Sequence, residues 1–360
     1  MFKKFSAVCC ALSLATSIGY AQDIKPGLPE GQGNFPDSDH YSPYAGRNFP
    51  TNVFWGDTHL HTGNSLDAGS FGARLTPVDA YRFARGEELT SSTGQQVKLS
   101  RPLDFLVVAD HSDNMGFFPA LISGDPDMLA DPTGRSWYDR IQQGGQAAVE
   151  VAVEVITSLT GNSFPDALYL APGTDGYRDA WEETIDAAEK FNDPGAFTAF
   201  IGYEWTSTDK GFNLHRVVIY RDGGDKAIQK EPATTLPPWG EPHARYLWKW
   251  MDDYQKATGG RVLAIAHNGN MSNGWMFPVE QLAHNAGTVD QNYVEQRARW
   301  EPLYEVTQIK GDGEAHPYLS PNDEFADYET WAEGNLDLTE MKSDEMLVRE
   351  YARSGLQLGM

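Results

Sequence analysis

The sequence has 360 residues, with 28 Lys and Arg against 51 Asp and Glu, for a formal net charge of −23. So acidic a chain is repelled by nucleic acid and by anionic membrane surfaces, and neither is expected as a partner. Its two cysteines, Cys9 and Cys10, lie close to the N-terminus, so the rest of the chain holds neither disulfides nor thiolate metal ligands.

Residues 1–21 read as a secretory signal. Lys3 and Lys4 are followed by the apolar run FSAVCCALSLATSIGYA, which ends small at Gly19 and Ala21. Cleavage is expected after Ala21, with export to the periplasm. The run is shorter than the roughly 20 residues that a spanning helix needs, and no later stretch approaches that length. Cleavage would remove both cysteines, two lysines and no acid, which deepens the negative balance. Residues 22–51 are rich in Pro, Gly and Asp and read as an extended arm. From 52 to 360 there is no linker, repeat or low-complexity break, which predicts one domain of about 300 residues.

Six short apolar, β-branched runs predict strands: NVFW (52–55), LDFLVVA (103–109), FTAFIGY (197–203), RVVIY (216–220), RVLAIA (261–266) and LYEVTQI (303–309). Several are apolar on both faces, as buried parallel strands are. Helical periodicity occupies 76–86, 178–191 and 243–257. The first of these opens with Thr76 as N-cap, Pro77, and Asp79 three residues after the cap. Strand followed by helix is the α/β pattern with a mainly parallel sheet. RVVIY follows FTAFIGY too closely for a helix between them.

Potential ligands stand where the strands end. NVFW leads into Asp57, His59 and His61; LDFLVVA into Asp110 and His111; FTAFIGY into Glu204; RVLAIA into His267. RVVIY is the exception, with His215 at its start. In a barrel the C-terminal strand ends face the active site. Alternate residues of a strand share a face, so Asp57, His59 and His61 are expected to point the same way. Five of the nine histidines gathered with carboxylates would be costly to bury without a compensating charge, which a cation supplies. Sulfur-free His and carboxylate ligands suit Zn, Mn or Fe, and this many ligands suits more than one ion.

These motifs carry a family resemblance. HLH after one strand, DHS after a second, GYE after a third and AHNGN after a later one resemble the PHP superfamily (polymerase and histidinol phosphatase). WGDTHLHTGNSLDA, DFLVVADHSDNMG, FIGYEWTS, IAHNGNMSNGWMF and KGDGEAHPYLSPNDEFADYETW are similar to an exported branch known as DUF3604. The resemblance implies a distorted seven-stranded (β/α) barrel with a trinuclear metal site, and hydrolysis of phosphate esters. It implies His59, His61, Asp110, His111, Glu204, His215 and His267 as metal ligands holding two or three divalent ions. The superfamily closes its site with Asp-x-His on the last strand. The only Asp-x-His here is Asp57-Thr58-His59, so the sequence reads as a C-terminally truncated copy lacking that strand.

The functional expectation is an exported metal-dependent hydrolase that uses metal-activated water on a small anionic ester, with Glu204 and Glu305 as catalytic carboxylates. The alternative is a periplasmic metal- or ligand-binding protein without turnover, or an inactive fragment of a longer hydrolase. No G-x-S-x-G motif and no glycine-rich phosphate loop is present. Arg74 and the loop carrying Lys310, Asp312 and His316 are candidates to contact an anionic substrate. Ordinary turn chemistry is the bland reading of that loop, and the one the sequence favours. Trp205 and Trp275 are candidate stacking platforms, against a packing role.

Overall fold

The first strand begins later than its apolar run predicts. β1 spans Gly56–Leu60, so Asp57 and His59 lie on the strand itself and His61 just past its end. Val53, Phe54 and Trp55 are exposed. A Cβ at Gly56 would fall 2.3 Å from the Phe105 carbonyl oxygen, so glycine is what lets β1 approach its neighbour. The computed structural model describes residues 52–161 and 163–360. The expected signal (1–21) and the whole of the expected arm (22–51) lie outside them. Among the described residues, no helix is long and apolar enough to cross a membrane.

β1 pairs in parallel with β2 (Phe105–Val108), and β2 with β3 (Thr198–Phe200). Ile201 interrupts the third run, and the chain continues as β4 (Gly202–Trp205). β4 returns to the end of β2 through a parallel bridge between His111 and Glu204. β4 then pairs antiparallel with β5 (Arg216–Tyr220), β5 antiparallel with β6 (Val262–Ala266), and β6 in parallel with β7 (Leu303–Tyr304). Two two-residue hairpins complete the strands, Leu89–Thr90 with Gln96–Val97 and Thr307–Gln308 with Gly311–Asp312.

The molecule is thus mixed α/β with several small sheets, and two expectations are corrected. The sheets do not close into a seven-stranded barrel: β1 and β7 each have one strand neighbour among the described residues. β5, whose run follows the previous one too closely for an intervening helix, opposes both its neighbours. LYEVTQI breaks after Tyr304, and its second half turns into the hairpin, where Ile309 is exposed.

Helix α1 (Leu66–Ser70) follows the first histidines, and α2 (Pro77–Ala84) begins at the predicted box, with Thr76 and Asp79 capping each other. α3 (Asp175–Phe191) and α4 (Ala244–Thr258) are the other two periodic stretches. A helical region over 117–160 carries no comparable periodic signal, apart from Asp125 and Asp131, which cap helices that start at Pro126 and Pro132. The inner faces of α3 and α4 meet the strands through Trp181, Tyr203, Tyr220, Trp250 and Tyr254, all buried and in mutual ring contact. Each such aromatic contributes on the order of 2 kcal/mol by leaving water. This core lies beneath the strand ends and holds them in place.

Candidate metal centre

Glu204 lies at the middle of the strand ends, with its side chain wholly buried. Its Oε2 is 3.1 Å from His59 Nε2 and 2.8 Å from His61 Nε2. Its Oε1 is 2.6 Å from His215 Nδ1 and 2.8 Å from His267 Nε2. His111 Nδ1 is 3.6 Å from Oε2 and 2.8 Å from Thr206 Oγ1. One carboxylate therefore meets five imidazoles drawn from four strand ends.

His215 reaches this centre because β5 runs backwards. In an antiparallel strand the N-terminal end lies beside the C-terminal ends of its neighbours. Arg216 pairs with Ala266, so the residues next to them, His215 and His267, come together, with ring centroids 5.9 Å apart. The exception in the sequence pattern obeys the same rule as the other four histidines.

Two further carboxylates border the cluster. Glu305 follows β7, and its Oε2 is 2.8 Å from His59 Nδ1. Asp67 was not singled out in the sequence. It lies in the first turn of α1, with Oδ1 3.0 Å from His61 Nδ1 and Oδ2 3.3 Å from His111 Nε2. Its signal is a carboxylate in SLDA, in the same stretch as HLH and one short turn beyond it.

Together these residues form four overlapping groups: His59, His267 and Glu305; His59, His61 and Glu204; His61, Asp67 and His111; and His111, Glu204 and His215. Within each group the candidate ligand atoms lie within 4.8 Å of one another. Two metal bonds of roughly 2 Å span about 4 Å, so small adjustments would let each group share an ion.

Charge supports this use. No Lys or Arg among the described residues pairs with Glu204, and neutral imidazoles cannot offset a buried carboxylate. Burial pushes the Glu204 carboxyl up, but the surrounding histidines, His111 first, hold it well below the usual range. Burial similarly opposes ionisation of Asp67, but His111 and His61 keep it ionised. For His215 and His267 burial dominates and lowers both to about 4, leaving neutral rings with lone pairs to offer. Burial also works against protonation of His59 and His61. There the carboxylates prevail, Glu204 and Glu305 raising His59 to about 9, and Asp67 and Glu204 raising His61 to about 10. Without metal, protons on these two rings balance the carboxylates. The donor set fits the divalent ions expected from the sequence.

Other expected residues are placed elsewhere. Asp110 is buried but outside the four groups: its oxygens accept from the Thr62 N–H at 2.5 Å and the Thr62 hydroxyl at 2.7 Å, which holds the turn after His61. Burial raises its pKa to about 6. Asp57 is exposed, and its Oδ1 accepts the His59 N–H. The register of β1 against β2 shifts between Asp57 and Leu60, which breaks the alternation that would have aligned Asp57 with His59 and His61. Arg74 donates to the Gly69 and Ala73 carbonyls. Trp205 is fully buried, and Trp275 packs beside Phe212, so both serve packing. Asp312 accepts the N–H groups of Glu314 and Ala315, and His316 Nδ1 accepts that of Tyr318, as turn residues do.

A family model described as "Protein of unknown function (DUF3604)" matches residues 48–360, and the chain belongs to that family. No curated protein and no solved structure matches it.

Proposed function

We propose that this member of the DUF3604 family is an exported, metal-dependent hydrolase of phosphate esters. The observation that carries the reading is Glu204, a fully buried carboxylate whose two oxygens meet five histidines and which, among the described residues, pairs with no Lys or Arg. Similarity of HLH, DHS, GYE and AHNGN to the PHP superfamily supports phosphate esters as the substrate class and a barrel-like ancestry for the strand arrangement. The apolar run before Ala21 supports export.

His59, His61, Asp67, His111, Glu204, His215, His267 and Glu305 would hold the ions. Ions bound there would supply Lewis acidity and bring the pKa of a water toward neutrality. Glu204, His215 and His267 form the dry floor, while Asp67, Glu305 and His61 keep some exposure and mark the side from which substrate enters. Glu305 accepts a hydrogen bond from His59 Nδ1–H and so turns Nε2 of that ring toward Glu204. With both oxygens among histidines and no solvent exposure, Glu204 binds rather than carries protons.

The test is elemental analysis of purified protein alongside a panel of phosphomonoesters and phosphodiesters, before and after chelation. Two or three ions per chain with turnover that chelation abolishes is the expected result. A full complement of ions with no turnover on any ester would leave a metal-binding protein in place of the hydrolase.

A further inference from the structure

His111 stands in two of the four groups, with His61 and Asp67 on one side and with Glu204 and His215 on the other. A neutral imidazole offers one lone pair in its ring, so the ring can serve only one of them. His111 Nε2 faces the outer group, 3.3 Å from Asp67 Oδ2, and Nδ1 faces the inner one, 3.6 Å from Glu204 Oε2. Which nitrogen stays free is set by what the other one meets.

Nδ1 meets Thr206. The Thr206 hydroxyl, just past the end of β4 and two residues beyond Glu204, is 2.8 Å from His111 Nδ1 and 3.0 Å from the Glu204 carbonyl oxygen. The carbonyl can only accept. With the one hydroxyl proton directed there, Nδ1 carries the ring proton and donates to Thr206 Oγ1, which leaves the lone pair on Nε2. With the hydroxyl turned to the ring instead, Nδ1 accepts and its lone pair is occupied. In neither arrangement is Nδ1 free, so beside Thr206 the ring can take an ion only through Nε2.

Both ends of this contact are fixed. The His111 N–H donates to Ser65 Oγ at 3.2 Å, and the Ser112 N–H to the Glu204 carbonyl oxygen at 2.8 Å. Asp113, buried two residues after His111, accepts from the Thr235 N–H at 2.8 Å and from the hydroxyls of Thr234 and Thr235. Thr235 Oγ1 is in turn 3.2 Å from the Thr206 carbonyl oxygen. Thr234 and Thr235 thus tie the chain after His111 to Thr206 and hold the hydroxyl against the ring.

We propose that Thr206 is a positioning residue: its hydroxyl occupies His111 Nδ1, commits Nε2 to an ion shared with His61 and Asp67, and withholds the ring from the Glu204 and His215 group. The assignment rests on the metal-dependent reading and deepens it by dividing the ligands between ions.

The test compares the full chain, loaded with Zn(II), as wild type, Thr206→Val and Thr206→Ser. Chelator competition, elemental analysis and thermal melts are run on each. Valine keeps the shape and loses the hydroxyl; serine keeps the hydroxyl and loses the methyl group. Thr206→Val should weaken the binding of one ion by about 10- to 100-fold, and Thr206→Ser should restore it. Thr206→Val combined with Asp67→Asn should cost that same single ion. Unchanged or tighter binding in Thr206→Val would overturn the assignment and leave the metal reading intact, as would loss of a second ion in the double variant. A Thr206→Ser chain that binds as weakly as Thr206→Val would show a packing role and also overturn the assignment. A wild type that holds no Zn(II) would overturn the metal-dependent reading, and the role of Thr206 with it.

Discussion

Asp67 Oδ2 lies 3.3 Å from His111 Nε2, so a carboxylate from the first turn of α1 closes on a histidine from the end of β2. Its other oxygen faces His61 Nδ1 at 3.0 Å. Asp67 therefore spans two imidazoles at the outer rim, as Glu204 spans more of them on the floor. Asp57, on β1 itself and next to the same motif, spans none.

This contrast predicts opposite outcomes for two aspartates ten residues apart. Asp67→Asn should lower metal affinity by about tenfold or more, since it touches two of the histidines. Asp57→Asn should leave metal content unchanged. Elemental analysis after dialysis against a weak chelator distinguishes them, and equal losses would remove Asp67 from the ligand set.

Metal uptake should depend steeply on pH. His59 and His61 have pKa values raised to about 9 and about 10, and both must be neutral to bind an ion. Affinity should climb from about pH 6 to about pH 9, by up to roughly 100-fold per pH unit where two protons leave together. Metal-free stability should run the other way for these rings. Their folded pKa values exceed the ordinary imidazole value of 6.5, so their contribution is full below that pH and is lost as pH rises through about 9 to 10. His215 and His267, depressed to about 4, contribute above pH 6.5, and that share is lost as pH falls toward 4. Chelator competition and thermal melts across pH check both trends; a flat affinity profile would contradict the protonated rings.

Asp110→Asn should weaken the fold rather than the metal site. Asn can return at most one acceptor oxygen to Thr62, where Asp110 now serves both its N–H and its hydroxyl. The cost should be about 1–3 kcal/mol, read by denaturant unfolding, with metal stoichiometry kept. Loss of an ion without loss of stability would restore Asp110 as a ligand.

Gly202→Ala should couple packing to the site. A Cβ there would lie 2.4 Å from Val107 Cγ1 and 2.9 Å from the Val218 carbonyl oxygen, at the break between β3 and β4. Overpacking of this kind costs about 1–3 kcal/mol, and the displaced strand carries Glu204 two residues on. Both the unfolding midpoint and the metal count should fall. A normal metal count with a lowered midpoint would show that β4 relaxes without moving Glu204.

The local part of this protein was legible in its sequence. His59, His61, His111, Glu204 and His267 could be named because residue type, apolar run and chain direction are local properties, and parallel strands bring their C-terminal ends together. The helix at Pro77–Ala84 was equally readable, since Thr76 and Asp79 bond across three residues. Tertiary structure decided the rest. The direction of β5 brought His215 to the centre, and an antiparallel choice is made by the partners of a strand and not by its own residues. A register shift against β2 separated Asp57 from the histidines beside it. Thr62 claimed Asp110 from 48 positions away, and the fold of α1 delivered Asp67 instead. Each of these outcomes depends on which distant group reaches a carboxylate first, and hydrogen bonds and charge settle that only once the chain has closed on itself.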